Sequence, residues 1–67
     1  MPHKDFDSTA LKSADYDRKS KQLSITFHSG GTTVYEDVPE EVFDGLCKAK
    51  SAGGYFHKAI RGVFVHL

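Results

Sequence analysis

Hydrophobic residues recur at two different periods along this chain. Leu23, Ile25 and Phe27 alternate with Ser24 and Thr26. A period of two predicts a strand with one buried face over residues 23–27. Residues 32–35 read Thr-Thr-Val-Tyr, β-branched and aromatic, and predict a second strand. The two pair as a hairpin across the turn at His28, Ser29, Gly30 and Gly31, where the glycines are free to take positive φ. Either Val34 or the pair Thr33 and Tyr35 looks inward; alternation permits both. An earlier strand is expected over residues 9–16, although Ala10, Leu11, Ala14 and Tyr16 do not alternate cleanly. Leu11 and Ala14 lie three apart, so a bulge near Lys12 and Ser13 brings both inward. Residues 17–22, Asp-Arg-Lys-Ser-Lys-Gln, make a polar turn between strands.

After Val38 the period changes. Val42, Phe43, Leu46, Cys47 and Ala49 fall on one side of a first helix. Phe56, Ala59, Ile60 and Val63 fall on one side of a second, with Tyr55 at its edge. Pro39 suits a first helical position, where a missing N–H costs nothing. Glu40 and Glu41 follow in the turn that favours negative charge. This helix is expected to run to about Lys50, with Gly45 on its polar side weakening it by roughly 1 kcal/mol relative to Ala. Ser51 is the expected N-cap of the second helix, and Gly53 and Gly54 allow a sharp change of direction. The second helix is expected to end near Arg61, with Gly62 as its left-handed C′ residue. Residues 63–65 alternate with His66 and read as a short last strand or a packed tail. Residues 1–7 are polar and read as a flexible lead-in to a single domain over residues 8–67. The pattern predicts an α+β fold: a small three-stranded antiparallel sheet followed by two short helices packed on one face.

Length limits what such a fold can do. A chain of 67 residues buries only about 60% of its unfolded surface, which leaves little room for a deep catalytic cavity. No apolar run approaches the roughly 18 residues of a membrane span, and residues near Met1 lack the apolar stretch of a secretory signal. One cysteine makes no internal disulfide, so the chain reads as cytoplasmic. Net charge is zero, but unevenly placed. Residues 1–45 carry nine acids and five bases, a balance of −4; residues 46–67 carry Lys48, Lys50, Lys58 and Arg61 and no acid, a balance of +4. That asymmetry marks a surface for polyanions, or it reflects lysines placed at the negative end of a helix dipole.

The residues that carry a family resemblance are Ser8, Leu11, Tyr16, the Leu23-x-Ile25-x-Phe27 strand, Gly30 or Gly31, Tyr35 and Val38-Pro39. They continue through Ala49-x-Ser51-x-Gly53-x-Tyr55-Phe56 to Ile60-Arg61. Together they resemble the KTSC domain, named after the C-terminal extension of some lysyl-tRNA synthetases and also found as small stand-alone bacterial or phage proteins. The chain departs from that pattern at two positions. The first tyrosine of the family's usual Tyr-x-Tyr pair is Thr33 here, and His57 stands where Asn is common. The resemblance implies a non-catalytic domain with RNA or another nucleic acid as ligand.

The residues suited to such a ligand are Lys48, Lys50, Lys58 and Arg61 for phosphates, with Tyr35, Tyr55 and His57 for unpaired bases. The competing reading makes the tyrosines core residues and the lysines solvated helix ends. Arg61 is expected to cap helix carbonyls or to pair with Asp15, Asp17 or Asp37. Cys47 and His57 are the one conceivable nucleophile and base, but a cysteine on an apolar stripe is ordinarily an inert buried thiol, so no enzyme is expected. His3, His28, His57 and His66 have no metal-ligand spacing, and no cofactor is expected. The alternative function is a protein-interaction or accessory module, using a sheet edge or the apolar tail, as a monomer or weak homodimer.

Overall fold

The computed structural model describes residues 2–67. Four strands come first: β1 His3–Asp5, β2 Leu11–Asp17, β3 Gln22–Phe27 and β4 Thr32–Tyr35. Two helices follow, α1 Glu40–Lys48 and α2 Ala52–Ala59. The strands form one antiparallel sheet in the order β1-β2-β3-β4. The α+β class is as expected, but the sheet has a fourth strand. His3, Lys4 and Asp5, expected in a flexible lead-in, pair with Asp15, Ala14 and Ser13. Three exposed polar residues carry no hydrophobic period by which to find them. Backbone pairing holds them, together with the His3 ring, whose Nδ1 lies 2.5 Å from Asp15 Oδ1 and whose Nε2 lies 2.8 Å from Asp5 Oδ1. Met1, the start of that expected lead-in, lies outside the described residues.

Register assigns every strand residue to a face. Leu11 pairs with Phe27 but Ser13 with Thr26, so Lys12 is the extra residue of a bulge. Leu11 and Ala14 therefore both face inward, fully buried, as their spacing requires. Lys4, Ala14, Ile25 and Thr33 form one row across the inward face, and Tyr16, Leu23 and Tyr35 form the next. Tyr35 is thus the inward residue of β4, while Val34 lies in the outward row with His3, Asp15 and Ser24.

Both helices pack on the inward face. Phe43 of α1 stacks on Tyr16 with ring centres 5.5 Å apart. Phe56 of α2 meets Phe27 and Tyr35 edge-on at 5.5 and 5.8 Å. The Tyr16 hydroxyl donates to the Val38 carbonyl at 2.5 Å and ties the start of α1 to β2.

The helix ends differ in detail from the sequence reading. Pro39 is the N-cap of α1, extended at ψ 148°, rather than its first residue. The helix stops at Lys48 because Ala49 is already extended at ψ 141°. Ser51 caps α2 as expected, its hydroxyl accepting the Gly54 N–H at 3.1 Å. That helix ends at Ala59, earlier than expected, so Val63 leaves the predicted stripe and is 60% exposed. Gly62 takes the expected left-handed turn at φ 78°. Gly45 is not an idle weak point on a polar side. The Tyr55 ring lies over it, and a methyl group there would approach Tyr55 Cζ to 2.7 Å.

The tail runs beside β4. Glu36 donates its N–H to the Val65 carbonyl and Leu67 donates to the Val34 carbonyl, each at 2.8 Å. The expected last strand is thereby reduced to one antiparallel bridge, Tyr35 with His66.

Candidate nucleic-acid interface

The four cations of the C-terminal segment come from four successive pieces of backbone. Lys48 ends α1, Lys50 lies in the junction, Lys58 is in α2 and Arg61 is in the turn after it. All four are exposed. The salt bridges among the described residues join His3 to Asp5 and Asp15, and Arg18 to Glu40, so none of the four has an acidic partner there. The expected pairing of Arg61 with Asp15, Asp17 or Asp37 is absent for that reason. On α2 the helical period sets Lys58 opposite buried Phe56, with His57 on the flank.

The aromatic candidates divide. Tyr35 is 5% exposed, with its ring against Phe56 and 6.0 Å from the His66 ring. It supports the surface from beneath and offers no free face for stacking. Burial pushes its phenol above the usual range, and the Arg61 charge opposes that. Tyr55 is half-buried over Gly45 and His57 is exposed, so these two remain accessible.

The bare outward face of the sheet is a poor rival. Its rows carry Asp15, Ser24 and Val34, then Thr26 and Thr32, whose hydroxyls lie 3.2 Å apart. Among the described residues no Phe, Tyr or Trp ring stands there to stack on a base, and the one imidazole, His3, is held between Asp5 and Asp15.

Cys47 and His57 make no hydrogen bond to each other among the described residues; Cys47 is half-buried on α1, and His57 is exposed on α2. Burial pushes the Cys47 thiol above its ordinary value, Lys4 opposes the shift and Asp44 adds to it. An uncharged thiol is a weak nucleophile. Among the described residues no group of three His, Cys, Asp or Glu side chains could hold a metal ion, and no helix is long and apolar enough to cross a membrane.

One cation escaped the sequence reading. A groove of about 510 Å³ runs between the β1–β2 connection and the junction of the helices. Lys4 lines one wall and Lys50 the other, with Cys47 between them. Lys4 belongs to the inward row with Ala14, so its side chain lies on the helix side of the sheet. No sequence signal could place it there without first placing β1.

The KTSC domain model matches residues 7–64. The chain belongs to the KTSC family. Its fold is similar to the crystal structure of a KTSC domain protein from Yersinia pestis, with a TM-score of 0.93 at 30% identity, covering 98% of this chain and 93% of that one. A protein from Tsukamurella paurometabola is 36% identical over 58 residues, 87% of each chain. A lysine–tRNA ligase from Nostoc punctiforme is 36% identical over the same length, which spans 87% of this chain and 10% of the ligase. The KTSC residues Ser8 and Gly53 have a shared structural use. Ser8 Oγ accepts N–H groups from Ala10 and Leu11 at 3.2 and 3.4 Å, and a methyl group on Gly53 would lie 3.8 Å from that same oxygen. Ser8 also lines the groove.

Proposed function

We propose that this KTSC domain is a non-catalytic binding module whose ligand is RNA or another nucleic acid. The interface is the helix side of the molecule, with Lys48, Lys50, Lys58 and Arg61 on phosphates and with Tyr55 and His57 beside them. One observation carries the reading: every cation of the C-terminal segment is exposed, and none is engaged by an acid among the described residues. An exposed cation without a partner keeps its full charge for an incoming anion, whereas a paired one must first exchange ions. The similarity to a stretch of a lysine–tRNA ligase supports the same reading by association.

Fluorescence anisotropy with labelled hexauridylate at several salt concentrations tests it. Four phosphate contacts on a single strand give a slope of log affinity against log salt near −2.8, about fifty-fold weaker binding between 50 and 200 mM salt. A slope near zero, or no binding at low salt, overturns the proposal.

A second reading, a protein-interaction module, has its own support. Val63, Val65 and Leu67 are 60%, 70% and 70% exposed and sit beside the β4 edge. Sedimentation that shows a monomer at high concentration removes the homodimer version of it.

A further inference from the structure

The groove beside Cys47 has the size, charge and floor for one unpaired nucleotide. Its volume is about 510 Å³, within the roughly 300–1,000 Å³ of small-ligand sites. Two lysines reach it from opposite walls, Lys4 from β1 and Lys50 from the helix junction. Neither has a salt-bridge partner among the described residues.

Asp5 and Asp7 also line this space. Asp5, however, pairs in register with Ser13 and belongs to the outward row, where its carboxylate accepts from His3 at 2.8 Å. It contributes backbone to the wall and turns its charge to the other side of the sheet. Asp7 is exposed, as Lys4 and Lys50 are. The lining balance is therefore two cations, Lys4 and Lys50, against the one carboxylate of Asp7, a net positive charge beside Phe6, Cys47 and Ala52. Phe6 and Cys47 are half-buried and packed against the core, so the floor is rigid and apolar. A phosphate needs cations and a base needs an apolar or aromatic surface; the groove supplies both within one nucleotide's reach.

We infer that this groove seats a single nucleotide of the bound strand, its phosphate between Lys4 and Lys50 and its base against Phe6 and Cys47. The inference rests on the nucleic-acid reading and assigns it a specific subsite. It also gives β1 a role: the strand carries Lys4 to the helix side of the molecule. The Lys4 charge is already felt at the Cys47 thiol, as expected of a lysine lying over the groove.

Cys47 is the chain's one cysteine, so its alkylation by iodoacetamide reports on the groove alone. With hexauridylate at ten times its dissociation constant, alkylation slows about tenfold by simple occupancy. Lys4→Ala abolishes most of that protection at matched saturation and weakens hexauridylate binding at low salt. Lys4→Arg keeps both, which separates loss of charge from loss of β1. Lys19→Ala, in the β2–β3 turn, changes neither. Steep, salt-dependent RNA binding with an unchanged Cys47 rate overturns the groove and leaves the nucleic-acid reading standing. Protection that survives Lys4→Ala overturns the lysine clamp. No RNA binding at any salt overturns both readings together.

Discussion

Gly45→Ala has opposite expected signs at two levels of structure. On helix propensity alone, alanine stabilises α1 by about 0.8–1.0 kcal/mol. The surroundings reverse this. A methyl group at Gly45 would stand 2.7 Å from Tyr55 Cζ and 3.1 Å from its Cε2, and nearer still to the hydroxyl. The Tyr55 ring must swing off α1, and overpacking of this kind costs about 1–3 kcal/mol. The net effect runs from about neutral to 2 kcal/mol destabilising. In a domain of this size a loss of 1 kcal/mol lowers Tm by about 4–8 °C. Thermal unfolding followed by circular dichroism on the wild type, Gly45→Ala, Tyr55→Ala and the double variant closes the cycle. With the ring gone the propensity gain is released, so the double variant should exceed Tyr55→Ala by about 0.8–1.0 kcal/mol. The two positions are then coupled by about 1–3 kcal/mol. A Gly45→Ala protein that gains the full propensity term in the wild-type background, additive with Tyr55→Ala, refutes the reasoning.

Tyr16→Phe keeps the stack on Phe43 but strands the Val38 carbonyl, so urea unfolding should show a loss of about 1–3 kcal/mol; a neutral variant means that water reaches that carbonyl. The His3 imidazole titrates above the ordinary histidine value, raised first by the hydrogen bond to Asp15 and then by that to Asp5. A raised histidine stabilises most below its unfolded pKa and loses that contribution as pH rises through the folded one, so the β1 latch weakens above pH 6.5. An NMR titration of the His3 ring should place its midpoint above the ordinary histidine value of 6.5, with Asp15→Asn lowering it more than Asp5→Asn; a midpoint at or below the ordinary value contradicts the double bridge. Arg61→Ala should stay within about 0.5 kcal/mol of wild-type stability yet weaken hexauridylate binding, and a large drop in Tm with intact binding would return Arg61 to a structural role.

Legibility in the sequence followed the hydrophobic period. β3, β4, the bulge in β2, both helices and the Ser51 cap all leave local signals, because each buries an apolar face or satisfies a backbone group next door. β1 leaves none. Its residues are polar and exposed, and its partner lies about ten residues away, so the pairing is visible only in three dimensions. The same gap hid Lys4, which takes its place on the helix side from β1's register. Tyr35 failed in a different way. Alternation permitted two facings of β4, and the inward one makes the ring a packing residue rather than a stacking platform. Gly45 was misread because propensity concerns one helix, while the contact that decides its role comes from Tyr55 on the other.

Charge and topology together decide which side of this molecule can meet a polyanion. Net charge is zero, so no long-range attraction arises from the chain as a whole; what remains is separation of charge within it. Asp15 lies in an outward row of the sheet, and the outward carboxylate of Asp5 is already engaged by His3. The helix side carries Glu40, Glu41 and Asp44 on α1, but also the exposed cations without acidic partners among the described residues, and β1 adds Lys4 to that side from the far edge of the sheet. With so few cations, the phosphate contribution is modest and screened within about 8 Å at physiological salt. Any affinity that survives that screening must come from contacts that salt does not weaken. The groove, with its apolar floor between two lysines, is the place on the helix side where the structure provides both kinds of contact at once.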